Sequence, residues 1–131
     1  CQITLSLISY KPSRNSTRYE SVLIAFVFLS SSGYKWAKNT FLFSLVNPSG
    51  QSPTKMSFRA GQEGYSIWCN SGHGPTFGGG NAHDIVICNS PNTNNCSTIL
   101  NNAYQCAAGN AFLTGSQYFR VSEMEVFGFN N

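Results

Sequence analysis

The sequence predicts a mainly β protein, an antiparallel sandwich or barrel, on the basis of three observations. Short apolar or alternating segments recur, and turns rich in Gly, Pro and Asn separate them at intervals of about 8 to 12 residues. Charged residues make up only 10% of the chain, and Ser, Asn, Gly and Thr take their place, which suits turns and sheet surfaces. No long segment carries a convincing helical stripe. The 131 residues have the length of one domain with a two-layer core.

The first predicted strands lie near the start of the chain. Residues 3–7 alternate weakly and predict a short strand before a loop around Pro12. Residues 22–29 are apolar, β-branched and aromatic, which predicts a buried strand. The same run has the length of a signal-peptide core, but Glu20 adjoins it and twenty-one residues precede it. Residues 30–33 predict a turn or flexible connection.

The middle of the chain continues this pattern. Residues 41–46 alternate as a strand does, and residues 47–50 predict a turn because Asn, Pro, Ser and Gly follow one another. Two further strands are predicted at residues 55–59 and 65–69. Residues 72–84 form a glycine-rich stretch, which we interpret as a tight backbone corner that leads into a strand at residues 85–88.

The last predicted element covers residues 119–129. Its apolar positions begin with Phe119 and Val121 on one face and then shift to Met124 and Val126. A β-bulge near Ser122 would account for this change of face.

The charge distribution argues against a nucleic-acid partner. Residues 1–40 carry five basic residues and one acidic residue, whereas the remainder carries three basic and four acidic residues, so no basic stripe with interleaved aromatic residues is present. The apolar run at residues 22–29 is too short to span a bilayer, which needs about 20 apolar residues, so no transmembrane segment is predicted.

The five cysteines are odd in number and irregular in spacing, so they do not define a disulfide framework. Buried free thiols in a reducing compartment are the favoured interpretation. Formal glycosylation sequons begin at Asn15 and Asn95, although such triplets arise easily by chance in a chain rich in Asn and Ser.

Three segments in this order resemble the TLDc family: residues 38–45, the corner at residues 74–80 with His83 to Ile85, and residues 119–129. The family has a Phe-Leu-Phe strand, a Phe-Gly-Gly-Gly turn and a closing Glu-Val-Trp/Phe-Gly-Phe strand at similar separations. The resemblance covers about residues 30–131. It implies a sandwich of two antiparallel sheets with a few short helices, no established catalytic centre and no cofactor. Family members are linked to protection against oxidative stress, and several are thought to bind the vacuolar proton-pumping ATPase.

The sequence departs from the family pattern in two places. Asn81 and Ala82 resemble an insertion between the glycines and His83, which lengthens the corner. Residues 1–29 do not match the region where the family places an amphipathic helix. We therefore expect residues 1–29 to be an atypical segment of foreign or mispredicted origin, followed by a TLDc-like domain at residues 30–131.

The resemblance and the charges together predict an interaction surface. Four glycines are expected to shape it, and three acidic residues to supply charge: Gly78, Gly79, Gly80 and Gly128, with Asp84, Glu123 and Glu125. Asp84 directly precedes a strand and is interpreted as a turn-capping acceptor, with a partner contact as the alternative. Glu123 and Glu125 share one face of the final strand and are interpreted as a solvated or partner-facing edge.

The cysteines and histidines also suggest two other chemistries. Cys69, His73, His83 and Cys88 form a tetrahedral zinc set by residue type, but their C-x3-H-x9-H-x4-C spacing is not that of a standard finger or ribbon. No metal is therefore predicted. A Cys69 nucleophile paired with His73 or His83 and assisted by Asp84 would make a thiol-dependent enzyme.

The predicted function is a non-catalytic interaction domain, monomeric and cytoplasmic, that binds a protein partner such as the vacuolar proton-pumping ATPase. The first alternative is a secreted lectin-like β-sandwich, which the Asn, Gly and aromatic residues of the loops suggest. The second is the thiol-dependent enzyme.

Overall fold

The computed structural model describes residues 2–10, 20–28, 32–37, 39–110 and 112–128, with the backbone alone described at residues 2–10, 20–28 and 125–128. Within these residues the chain has eleven strands and one 3-10 turn at Glu63–Tyr65. The strands are β1 Gln2–Tyr10, β2 Glu20–Phe28, β3 Gly33–Lys35, β4 Phe41–Ser44, β5 Thr54–Met56, β6 Ile67–Cys69, β7 His73–Phe77, β8 Ile85–Cys88, β9 Cys96–Thr98, β10 Tyr118–Phe119 and β11 Glu123–Gly128. The mainly β prediction is confirmed.

The first sheet has five strands in the order β11-β1-β2-β4-β5, and every neighbouring pair is antiparallel. The β1–β2 ladder runs from Gln2 opposite Phe28 to Tyr10 opposite Glu20. The strand predicted at residues 3–7 is thus confirmed, and so is the strand predicted at residues 22–29 as far as Phe28, since residue 29 lies outside the described residues. Both strands belong to the same sheet as β4.

The turn between β4 and β5 forms as its residues predict. The Asn47 side chain accepts hydrogen bonds from Ser49 Oγ at 2.8 Å and from the Gln51 N–H at 3.0 Å. The side chain of buried Asn47 therefore closes the turn by accepting from the residues that follow it.

The second sheet has six strands in the order β10-β9-β8-β7-β6-β3, again antiparallel throughout. The prediction that all of residues 72–84 form a corner is wrong, because residues 73–77 form strand β7 of this sheet. Pro75 can lie in this inner strand because the β7–β8 register shifts between His73 and Thr76, where a ladder N–H is not required. The corner itself is residues 78–84.

The two sheets enclose one apolar core. Leu42 and Met56 from the first sheet and Phe77, Ile85 and Ile87 from the second are at most 1% exposed and belong to the same cluster. Full burial of each such side chain contributes about 1.5 to 3 kcal/mol, so the core supplies most of the free energy that holds the two sheets together.

The predicted β-bulge near Ser122 is not what changes the face of the final segment. β10 pairs with β9 in the six-stranded sheet, whereas β11 pairs with β1 in the five-stranded sheet. The change of face near Ser122 therefore marks the crossing of the chain from one sheet to the other. Buried Val121 lies in this crossing, and its N–H donates to the Pro91 carbonyl at 2.8 Å.

Among the residues that the structure describes, none belongs to a helix with the length and apolar character of a membrane span.

Candidate interaction surface

Asp84 anchors the corner from inside the protein. Its side chain is fully buried, and the two carboxylate oxygens accept backbone hydrogen bonds from Ala103 at 2.8 Å, from Asn102 at 3.0 Å and from Tyr104 at 3.4 Å. Burial raises the pKa of Asp84 to about 6, while these N–H groups act in the opposite direction. Asp84 accepts backbone hydrogen bonds, as predicted, but the N–H groups that it caps lie almost twenty residues further along the chain and not in its own turn. Because the side chain is buried, its charge is not presented at the surface.

Gly78 is required by Asp84. Gly78 has a φ of +79°, and a Cβ atom at this position would overlap the Asp84 carboxylate. The Gly78 N–H donates to the Ser66 carbonyl at 3.0 Å, and the Gly78 carbonyl lies 2.9 Å from His83 Nδ1. Because Gly78 has no side chain, the backbone of the corner can approach both the Asp84 carboxylate and the His83 imidazole.

Gly79 is required by a different neighbour. A Cβ atom here would overlap the ring of Tyr34 in β3, so the aromatic ring lies directly against the glycine backbone. Gly80 has a φ of +92° and is exposed. Each of the three consecutive glycines therefore has its own reason: Gly78 leaves room for a buried carboxylate, Gly79 leaves room for an aromatic ring, and Gly80 allows a backbone turn.

Tyr34, which lies against Gly79, packs with three further rings, and we call this group the aromatic cluster: Tyr34, Tyr65, Trp68 and His83. Tyr34 lies 4.6 Å from Trp68, 5.0 Å from Tyr65 and 6.0 Å from His83 between ring centroids. Tyr34 and Trp68 are directly opposite each other on β3 and β6, which places their side chains on one face of the sheet.

The aromatic cluster reaches the surface. Tyr34 and Tyr65 are 38% and 37% exposed, and Trp36, two residues after Tyr34, is 69% exposed. The chain just beyond Trp36 is fixed because the Ala37 N–H donates to Ser66 Oγ at 3.1 Å. Exposed Tyr and Trp side chains on a fixed backbone are typical of protein-binding surfaces.

Ser66 connects the corner to the core. Its carbonyl accepts the Gly78 N–H and also the hydroxyl of fully buried Tyr104 at 2.9 Å. Burial raises the pKa of Tyr104, with the charge of Asp84 acting in the same direction, so its hydroxyl remains a donor. Sequence analysis missed Tyr34, Trp68 and Ser66, since a strand of three residues has too little pattern to reveal its partner across the sheet.

The acidic residues lie on the other sheet. β11 is at one end of the five-stranded sheet as described, and Glu123 at its start is exposed and opposite Ser9. Glu125 and Gly128 follow on the same strand, opposite Leu7 and Thr4. The structure thus divides the predicted surface into a glycine corner on one sheet and an acidic edge strand on the other.

The four weak metal candidates do not form a ligand set. Among the described residues, no group of three or more His, Cys, Asp or Glu side chains is placed to hold a metal ion. His83 packs against Trp68 at 6.0 Å, and exposed His73 is opposite Cys88 in the β7–β8 ladder. The Cys88 thiol instead lies 3.1 Å from the thiol of Cys96.

The chain forms two antiparallel sheets and crosses from one to the other between β10 and β11. Together with the glycine corner that holds the Asp84 carboxylate, these features define a β-sandwich of the type that the sequence motifs implied. The family model for the TLDc domain matches residues 13–130. The chain therefore belongs to the TLDc domain family. Neither the curated proteins nor the solved structures gave a significant match.

The family match begins before residue 30 and takes in much of the segment that sequence analysis had set apart. The division of the chain at residue 30, and the atypical origin assigned to residues 1–29, stay predictions.

Proposed function

We propose that this TLDc domain is a non-catalytic, monomeric interaction domain of the cytoplasm, and that the vacuolar proton-pumping ATPase is its protein partner. Family resemblance supports the partner and the link to oxidative-stress protection. The observation that carries the choice of surface is the contact between Tyr34 and Gly79, because Tyr34 is an exposed member of the aromatic cluster and exposed Trp36 follows it two residues later in the chain.

The aromatic cluster and Trp36 form the centre of the proposed contact. Aromatic side chains supply large contact area at a low cost in conformational entropy, and a few of them contribute most of the binding free energy in many interfaces. Glu123 and Glu125 form a second, acidic contact. Because charges at the rim of an interface act mainly on the association rate, this part of the interaction should weaken as salt is raised.

The test is a pull-down with the whole chain, followed by immunoblotting for proton-pump subunits. Trp36→Ala is expected to reduce recovery of the subunits by about tenfold or more, as loss of a central aromatic residue does. Tyr118→Ala is the matched control, because Tyr118 is also an exposed aromatic residue, at 62%, but lies on β10 at the opposite end of the same sheet. A double change of Glu123 and Glu125 to Lys tests the acidic contact.

Equal losses in Trp36→Ala and Tyr118→Ala would contradict the proposed surface. A folded domain that recovers no pump subunits but binds a glycan array would support the lectin-like alternative, since exposed Tyr and Trp rings also stack on sugars. A single cysteine that reacts far faster than the others with iodoacetamide, together with turnover of a substrate, would support the thiol-dependent enzyme.

A further inference from the structure

We propose that Cys88 and Cys96 form a peroxide-sensitive thiol pair, in which a hydroperoxide converts the two thiols into a disulfide that links the end of β8 to the start of β9. The proposal does not depend on the docking function. It rests on the contact between the two side chains, on their unequal burial and on the loop that joins them.

The two sulfur atoms are already neighbours. Cys88 Sγ lies 3.1 Å from Cys96 Sγ, and the Cys88 N–H donates to Cys96 Sγ at 3.4 Å. Both cysteines are free in the structure. The sulfur atoms need to approach by only about 1 Å to reach disulfide bonding distance, so a change of side-chain torsion can accomplish the step.

The loop between the thiols is already closed. The Ser90 carbonyl accepts the N–H groups of Thr93 at 3.0 Å and Asn94 at 2.9 Å, and the Asn94 side chain donates to the Asn89 carbonyl at 2.7 Å. These bonds hold the ends of the loop together whether or not the thiols are joined. A disulfide at this position therefore requires little backbone movement.

Unequal burial assigns different roles to the two thiols. Cys88 is partly exposed, whereas Cys96 is fully buried. Burial, together with the side-chain contact with Cys88, raises the pKa of Cys96 to about 12, which favours the protonated thiol at Cys96. Cys88 is thus the thiol that meets the oxidant and Cys96 the thiol that resolves the product.

The chemistry balances with hydrogen peroxide as the oxidant. The Cys88 thiol gives up its proton as its sulfur attacks one peroxide oxygen, an S–O bond forms, the O–O bond breaks, and the departing hydroxide takes up a proton to become water. Cys96 then loses its proton and attacks the sulfur of the Cys88 sulfenic acid, an S–S bond forms, the S–O bond breaks, and a second water leaves. Two thiols lose two electrons and two protons, and one peroxide becomes two waters.

The test is to treat the folded chain with hydrogen peroxide, block the remaining thiols and measure the intact mass. We expect a loss of two hydrogen atoms and a decrease in alkylated thiols from five to three. Chymotrypsin can cut after Phe77 and Leu100, which places Cys88 and Cys96 in one peptide apart from Cys69 and Cys106. The disulfide is expected within that peptide and should disappear on reduction.

Variants assign the order of the steps. In Cys96→Ala the reaction should stop at the Cys88 sulfenic acid, which dimedone traps, and in Cys88→Ser the chain should lose no hydrogen atoms. Cys69→Ser is the matched control, because Cys69 is another partly exposed strand cysteine, and it should form the disulfide at the wild-type rate.

Locating the disulfide by digestion of the wild-type chain tests the proposal even if a variant does not fold. A disulfide in the peptide with Cys88 and Cys96 supports it. Recovery of both thiols in reduced form, a disulfide that maps to another pair, or oxidation of Cys88 to the sulfinic acid while Cys96 stays free would overturn it.

Discussion

The Asp84 carboxylate occupies the space in which a side chain at Gly78 would begin. A substitution at Gly78 therefore acts on two features together, the positive φ of the glycine and the three backbone N–H groups that the carboxylate caps. Gly61 has nearly the same φ, +80°, but nothing lies within 4 Å of a Cβ atom placed there. The two glycines form a matched pair that separates backbone strain from packing.

Gly78→Ala is expected to lower the free energy of unfolding by about 3 kcal/mol or more. The positive φ accounts for about 1 kcal/mol, and displacement of a buried carboxylate from its donors accounts for the remainder. Gly61→Ala should cost only about 1 kcal/mol. Urea denaturation measures both values, and equal losses would mean that the contact with Asp84 contributes nothing.

Gly79 provides a double-mutant cycle with Tyr34. Gly79 does not have the positive φ of its two glycine neighbours, so the obstacle to a larger residue is the Tyr34 ring. Gly79→Ala alone should destabilise the fold by about 1 to 3 kcal/mol, as overpacking does. In a Tyr34→Ala background the same change should cost much less, which gives a coupling free energy of about 1 kcal/mol or more. Additive losses in the urea denaturation of the four proteins would contradict the contact.

The raised pKa of Asp84 makes stability depend on pH. Burial raises this pKa from 3.8 to about 6, so between these two pH values the folded protein holds a proton that the unfolded chain has released. The stabilising contribution is complete below about pH 4 and is lost as the pH rises through about 6. The difference corresponds to about 3 kcal/mol between the two limits.

The measurement is urea denaturation of the wild type and of Asp84→Asn at intervals between about pH 4 and 7. Subtracting the two curves removes the contribution of the two histidines, which both proteins share. The wild type should lose stability relative to the variant as the pH rises. A constant difference across the range would contradict a raised pKa for the buried carboxyl.

The Tyr104 hydroxyl connects the core to the corner through Ser66. Tyr104→Phe removes the donor and leaves the buried Ser66 carbonyl with one fewer partner, so a loss of about 1 kcal/mol is expected. Tyr118→Phe is the control at an exposed tyrosine and should change stability by less than about 0.5 kcal/mol. Thermal unfolding measures both, and a Tyr104→Phe protein with the melting temperature of the control would count against the proposed connection.

Much of the β architecture could be predicted because it depends on local pattern. Residues 41–46 alternate, residues 47–50 carry turn chemistry, and Asp84 precedes a strand, so each of these features is visible within a few residues of sequence. The predictions that failed needed information on distant partners. A β-bulge and a crossing between sheets near Ser122 produce the same local change of face, and only the pairing of β10 and β11 with different sheets distinguishes them.

The candidate site shows the same limit. The sequence predicts a tight backbone corner at glycines 78–80. The reasons for two of these glycines lie elsewhere in the chain, at Asp84 for Gly78 and at Tyr34 for Gly79. The contact between Cys88 and Cys96 was also missed, because it joins adjacent strands near the loop between them and has no signature in cysteine spacing. Glu123 lies on β11, at one end of the five-stranded sheet among the described residues, and charge on such a strand is a common protection against edge pairing.

The pairing of β11 with β1 has a consequence for the order in which the domain can be assembled. Thr4 and Gly128, which are opposite each other in that ladder, are separated by almost the whole sequence, so a ribosome must have synthesised β11 before it can add to the five-stranded sheet. Until then β1 has an uncovered side to which the strand of another molecule could add. Contacts so distant in sequence also slow folding. The nascent chain therefore depends on β11 for protection against misassembly.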